Sequence, residues 1–393
     1  MNVPKLRFKE FNDEWQNYKV EDILKISNGI NKEKEFFGSG TPIINYMDVN
    51  KNELISHNIV KGLVIANSKE LETFNVKKGD ILFTRTSETS DEIGLSSSVI
   101  ENIDKCIFSG FILKGTQTKQ FIHPYFGGYY FRNPKMRKEI IKHSSITTRA
   151  LTSGSLLSQM SISIPTIIEQ EKIGKTLSLL DKKIELQTKK IEDLKLFKLY
   201  MENQFIFKDD ASYIEYKLRD ILIEGNKTPV ADTSKYQKLT IKLNLKGLEF
   251  NESQKEMSDK RPFYVRDENE LIIGKQNYFN GSIAIVNKKY AGGICSNAIM
   301  SFKAKDGFDI KYIYLYLSQK SYMKQREFLA NGTGQKELSE KEFLNFSIRI
   351  PTDNKVKKII KNVNCISKKI LLEENKLNKL IELKKGLMQN MFV

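Results

Sequence analysis

The chain has 393 residues, 40% hydrophobic and 10% aromatic, with 64 Lys and Arg against 48 Asp and Glu, a formal charge of +16. At roughly 150 residues per domain that length calls for two or three folded units, and the apolar content excludes a disordered chain or a small disulfide scaffold. So basic a balance favours a polyanionic partner, nucleic acid first and an anionic membrane surface second, although an AT-rich coding sequence would enrich Lys, Asn, Ile and Tyr in any protein.

Cys106, Cys295 and Cys365 lie far apart, with no C-x-x-C pair to suggest stapling or zinc. Met1-Asn2-Val3-Pro4-Lys5-Leu6-Arg7 lacks the apolar stretch of a secretory signal, and no window approaches the roughly 18 apolar residues of a membrane span. These features predict a soluble, cytoplasmic chain with no membrane partner.

In chain order the elements appear twice. Tyr18-Lys19-Val20-Glu21-Asp22-Ile23-Leu24 resembles Tyr216-Lys217-Leu218-Arg219-Asp220-Ile221-Leu222. Short β-rich runs follow in each half, Asp80 to Thr84 and Ser97 to Ile100, then Leu271 to Gly274 and Ser282 to Val286, bounded by Gly, Asn and Asp turns. Amphipathic helices are expected from Pro124 to Lys138 and, at an offset of 187, from Lys311 to Gln325. Ser161-Ile162-Ser163-Ile164-Pro165-Thr166 reappears 186 residues on as Ser347-Ile348-Arg349-Ile350-Pro351-Thr352, and the register then runs without a gap to Phe207 and Val393. Each proline marks a strand-to-helix boundary, because it disfavours helical backbone before it and is tolerated at a helix start.

Beyond the prolines, spacings of four and three select Ile173, Leu177, Leu180, Ile184, Gln187, Ile191, Leu194, Lys198, Met201 and Phe205. The second copy gives Ile359, Val363, Ile366, Ile370, Glu373, Leu377, Leu380, Lys384, Leu387 and Met391, so even the polar breaks coincide. Alternating fours and threes form the 3.5-residue seam of a coiled coil, and about 40 residues at 1.5 Å each make a rod of roughly 60 Å. Charged pairs such as Lys182-Lys183 and Lys368-Lys369 crowd the other faces, which argues against a helix buried in its own domain. Gly174-Lys175-Thr176 is no phosphate loop, since Glu169 stands where the first glycine is required.

The expected fold class is therefore mixed α/β (α+β). It has globules over 1–165 and 208–351, each followed by a long helix, 166–207 and 352–393. An antiparallel pairing of the two helices, with pseudo-twofold symmetry, buries the common seam. Basic residues exceed acidic ones in both globular stretches, 22 against 18 over 1–167 and 24 against 19 over 208–351.

Catalytic constellations are not evident. There is no N-P-P-Y or D-P-P-Y run, no paired-glycine nucleotide loop and no H-E-x-x-H, and His57, His123 and His143 have no metal-ligand spacing. The carboxylates of the long helices alternate with lysines, as on a solvated face. No catalytic residue, metal site or cofactor is expected in the chain. Candidate DNA contacts are polar loops with a cation: Lys78, Arg85, Thr86 and Ser87 around one strand, with Lys275, Gln276 and Asn277 as their counterparts. A second pair of loops precedes the helix-leading strands, with Thr147, Thr148 and Arg149 in one half and Thr333, Gln335 and Lys336 in the other.

Val3-Pro4-Lys5-Leu6-Arg7-Phe8-Lys9-Glu10-Phe11-Asn12-Asp13-Glu14-Trp15 resembles the P-x-L-R-F-x-x-F-x-x-x-W opening of type I restriction-modification specificity subunits. Ile164-Pro165-Thr166-Ile167-Ile168-Glu169-Gln170-Glu171-Lys172-Ile173 is similar to that family's I-P-x-x-x-E-Q-x-x-I helix entry, from which the second copy departs with Lys355-Val356. The resemblance covers essentially the whole chain. It implies two target-recognition domains that each read half of a split double-stranded DNA site, and two conserved helices that set the spacer. It also implies two copies of a modification subunit that methylates adenine with S-adenosylmethionine, and restriction subunits that use ATP and Mg. Read without the resemblance, the residues also admit a coiled-coil scaffold, a stand-alone regulator of a bipartite site, or an enzyme acting alone on nucleic acid.

Overall fold

A computed structural model of the chain describes residues 3–146, 149–206, 212–251, 261–329, 337–352 and 355–393. It separates into two compact units, one of residues 1–190 with 373–393 and one of residues 191–372. Each unit takes its globule from one half of the chain and its helical segments from both long helices, Ile167–Ile206 and Lys355–Asn390.

In the first unit a five-stranded sheet runs in the order Leu24–Asn28, Ile112–Gln117, Ile81–Thr84, Ser96–Val99, Leu54–Ile55. Neighbours are antiparallel except for the last pair. The central strand Ile81–Thr84 is buried along its whole length, as expected for an apolar run covered on both faces. Gln16–Lys19 pairs antiparallel with Ser161–Ile164, bringing the start of the globule beside the strand that leads into the long helix. The helices Pro124–Tyr130 and Pro134–Lys142 each begin on a proline, where the missing N–H needs no partner. One core unites Trp15, Phe126, Tyr130, Ile173 and Leu177 with Met391 and Phe392 from the chain's far end.

The second unit repeats this plan in a four-stranded antiparallel sheet, in the order Leu222–Glu224, Ile299–Ala304, Leu271–Gly274, Ile283–Ile285. Tyr213–Lys217 pairs with Ser347–Pro351 as the entry strands do in the first unit. Its core gathers Tyr278, Phe302, Tyr312, Tyr322 and Phe343 around Ile359, Ile360 and Val363.

Both long helices bury the stripe that the fours and threes select. Ile173, Leu177, Leu180, Ile191, Ile359, Val363 and Ile370 are buried, and Ile184, Leu194, Ile366, Leu377 and Leu380 are half-buried among exposed neighbours. Within the first unit the helices run antiparallel: Gln187 meets Glu373, and Asp181 meets Lys384. The first polar break of each stripe thus bonds to the other, the Gln187 amide donating to the Glu373 carboxylate at 2.7 Å and to its carbonyl at 3.0 Å. These bonds, with those from Lys190 and Lys376, hold the Glu373 carboxyl down at about 2.

Three polar locks close the first unit. Arg7 grips Glu169 bidentately, at 2.8 and 2.7 Å, with the carboxylate 1% exposed. Gln170 donates to the carbonyls of Phe121 and Pro165, and accepts from the His123 N–H at 2.8 Å. Lys384 reaches Glu53 at 2.9 Å and Asp181 at 2.6 Å, and Asp181 also accepts from the Tyr129 hydroxyl at 2.7 Å. Burial alone would lower Lys384, but the two carboxylates outweigh it and hold the ammonium above its ordinary pKa. At Gly174 a Cβ would stand 2.5 Å from the Tyr125 carbonyl carbon, so glycine here lets the helix lie against the main chain of Pro124–Tyr130.

Among the described residues no helix is long and apolar enough to cross a membrane, and no group of three or more His, Cys, Asp and Glu could hold a metal. Burial pushes the Cys106 thiol up to about 12 and Cys295 to about 11, so neither supplies a thiolate at neutral pH.

Candidate nucleic-acid interface

Arg85 follows the central strand Ile81–Thr84. Its N–H donates to the Phe111 carbonyl at 2.9 Å, and its own carbonyl accepts from the Thr152 N–H at 3.0 Å. Thr86 and Ser87 continue as a short strand paired with Leu151 and Ala150, and these pair in turn with Ser145 and Ile146. The two polar loops of the first half, some sixty residues apart in sequence, therefore meet on one three-stranded edge that also carries Arg149 beside Ala150.

The same wiring holds in the second unit. The Lys275 N–H donates to the Ala298 carbonyl at 3.1 Å, and its carbonyl accepts from the Leu338 N–H at 2.9 Å. Arg85 and Lys275 thus occupy equivalent backbone positions, each held between a turn and the segment that follows the second polar loop. Thr147, Thr148, Thr333, Gln335 and Lys336 lie outside the described residues.

The surroundings of the two cations differ. Arg85 is half-buried and Arg149 exposed, and neither has a carboxylate partner among the described residues. Lys275 stands 3.9 Å from Glu340, which also binds Lys227 at 2.7 Å. The residue 186 positions before Glu340 is Gly154, so the first unit has no such counter-charge.

Other candidates divide between display and support. Gln276 is exposed. Asn277 shapes its own turn, its carbonyl accepting from the N–H groups of Asn280 and Ser282 at 3.0 Å each. Ser87 is 6% exposed, and its hydroxyl oxygen accepts from the Thr89 N–H. Lys78 lies at the opposite end of the central strand from Arg85, in a crevice of about 460 Å³ that it shares with Lys77 and Lys119. The structure does not bring Lys78 to the Arg85 edge.

The corresponding crevice of the second unit has a volume of about 980 Å³ and mixed charge, with Glu268 and Asp309 beside Lys303, Lys311 and Lys357. Val356 lines it at the position equivalent to Gln170, whose amide in the first unit ties three main-chain groups together.

Sequence reasoning passed over Phe111 and Glu340. A Ser-Gly-Phe turn between two strands was a signal for the first, since a large apolar side chain at a glycine turn has little to pack against. No local signal marks Glu340, because its distance to Lys275 is a product of folding.

Residues 12–196 and 212–383 each match the family model described as the type I restriction modification DNA specificity domain. The chain belongs to this family. Its two specificity domains also resemble solved structures as folds. One is a type I restriction-modification system S subunit from M. genitalium, 15% identical, with a TM-score of 0.61 over 100% of this chain and 99% of that one. Another, from work on complex assembly and conformational transition of the type I R-M system, is 13% identical, with a TM-score of 0.56 over 96% of this chain and 97% of that one. Both specificity domains carry the cation at the same backbone position of the fold.

Proposed function

We propose that this chain is the DNA-reading subunit of a type I restriction-modification complex, with one half of a bipartite double-stranded site read by each specificity domain. The observation that carries the reading is the repeated backbone position: two matched DNA specificity domains, each with a cation, Arg85 or Lys275, held by equivalent main-chain bonds. Lysine and arginine contacts to phosphate give affinity and salt dependence, while base-edge contacts of about 1–3 kcal/mol each give discrimination. In this reading the recognition domains are 1–165 and 208–351. The helices 166–207 and 352–393 act as spacer and as the dock for two modification subunits. Arg149, Gln276 and the polar loops at 147–148 and 333–336 complete the DNA-contacting set, from which Lys78, at the other end of its strand, is left out.

The chain itself supplies recognition and not reaction chemistry. Adenine methylation with S-adenosylmethionine, and restriction with ATP and Mg, belong to partner subunits in the cytoplasm. The test is to co-express the chain with the modification subunit and map methylated adenines across the genome. Methylation at one split motif, lost with this gene, is the expected result. A stable chain that forms no complex and directs no methylation would return the reading to a scaffold or a free-standing regulator.

A further inference from the structure

Phe111 is 61% exposed at the tip of the Ser109-Gly110-Phe111 turn, between strands Ile107–Phe108 and Ile112–Gln117. The exposure is not that of a loose loop. The Gly110 N–H donates to the Ile30 carbonyl at 2.7 Å, the Phe111 carbonyl accepts from Arg85, and the Phe111 N–H donates to the Ser109 hydroxyl oxygen at 3.4 Å. A Cβ at Gly110 would fall 1.9 Å from the Asn31 side-chain oxygen, so the turn is closed on that side as well.

Leaving a phenylalanine ring in water forgoes the gain of burying it, and the bonded turn holds its backbone at that exposed place. Arg85 is bonded directly to its backbone, and Arg149, with no carboxylate partner among the described residues, lies on the three-stranded edge that begins just after Arg85. The guanidiniums fit an anionic partner and the ring fits an apolar group within it. In the major groove of DNA the one apolar group on a base edge is the C5-methyl of thymine.

We propose that Phe111 is a specificity-determining residue of the first domain, its ring set against a thymine methyl in the half-site that Arg85 enters. The inference rests on the DNA-reading function proposed above. The equivalent position of the second domain is Ala298, so the ring contact belongs to one half-site only.

The test uses the full chain in complex with its modification subunit, on the mapped site and on random DNA of equal length. Phe111→Ala is expected to lower affinity for the site about tenfold while leaving random DNA unchanged, and Phe111→Trp to restore part of it. Replacing each thymine of the half-site by uracil in turn should weaken the wild type several-fold at one position and leave Phe111→Ala indifferent there. A half-site without thymine, or unchanged site preference in Phe111→Ala, overturns the assignment. Lost preference without thymine dependence would place the ring on a base face and overturn the methyl contact. Failed assembly with the modification subunit would make Phe111 a protein contact, also against the proposal. If the wild-type complex shows no site preference, the DNA-reading function itself fails and takes this inference with it.

Discussion

The two halves share a plan and differ in what locks it. Both bury the same helical stripe and order their central strands alike. In the first half Arg7 clasps Glu169, Gln170 ties three main-chain groups, and Lys384 joins Glu53 to Asp181. At the equivalent positions of the second half stand Lys355, Val356 and, for Asp181, Ser367. The loss is coupled: Glu169 is buried and needs Arg7, and no P-x-L-R-F segment precedes Tyr216, so an acid at position 355 would lack that partner. Lys198, the counterpart of Lys384, reaches only one turn along its own helix to Glu202, at 3.6 Å. Apolar seams survive divergence because any large aliphatic serves. Buried ion pairs survive only when both partners persist.

The sharpest way to break this contrast is Arg7→Ala, which strands a buried carboxylate. A cost of about 3 kcal/mol is expected, seen as lost hydrogen-exchange protection at the start of the first long helix. Lys384→Ala should cost about 2 kcal/mol, less because the three side chains keep some contact with water. Lys198→Ala, its mirror, should cost under about 0.5 kcal/mol, as for a helix surface pair. Equal losses from both lysines in denaturant titrations would erase the distinction.

Among the proposed DNA contacts, Arg85→Ala is expected to weaken site binding more than Lys275→Ala, because Glu340 stands 3.9 Å from Lys275 and partly neutralises it. Glu340→Gln should therefore raise affinity two- to threefold and steepen the salt dependence. An unchanged salt slope would show that Glu340 does not hold Lys275 back.

The smallest effect is one of pH. The Glu373 carboxyl, held at about 2 by Gln187, Lys190 and Lys376, lies below its unfolded value. Its contribution is therefore fully present above about pH 4.3 and is lost as pH falls toward 2. Glu373→Gln should remove that part of the acid sensitivity in a helical circular dichroism titration, and an identical acid profile in the variant would refute it.

The duplication, the mixed α/β halves, the two long helices and their seam are legible in the residues alone, because these follow from periodicity and from proline, which act within a few residues. The sequence also matched the loop that holds Arg85 to the loop that holds Lys275, and the main-chain bonds then made the two residues equivalent. That the loops around residues 86 and 150 share an edge, that Lys78 belongs to the other end of its strand, and that Gln187 meets Glu373 were decided by tertiary structure. So were the display of Phe111 and the pairing of Lys275 with Glu340. Such pairings depend on which side chains long-range strand register and helix packing bring within a few ångströms, and a linear spacing carries no record of that distance.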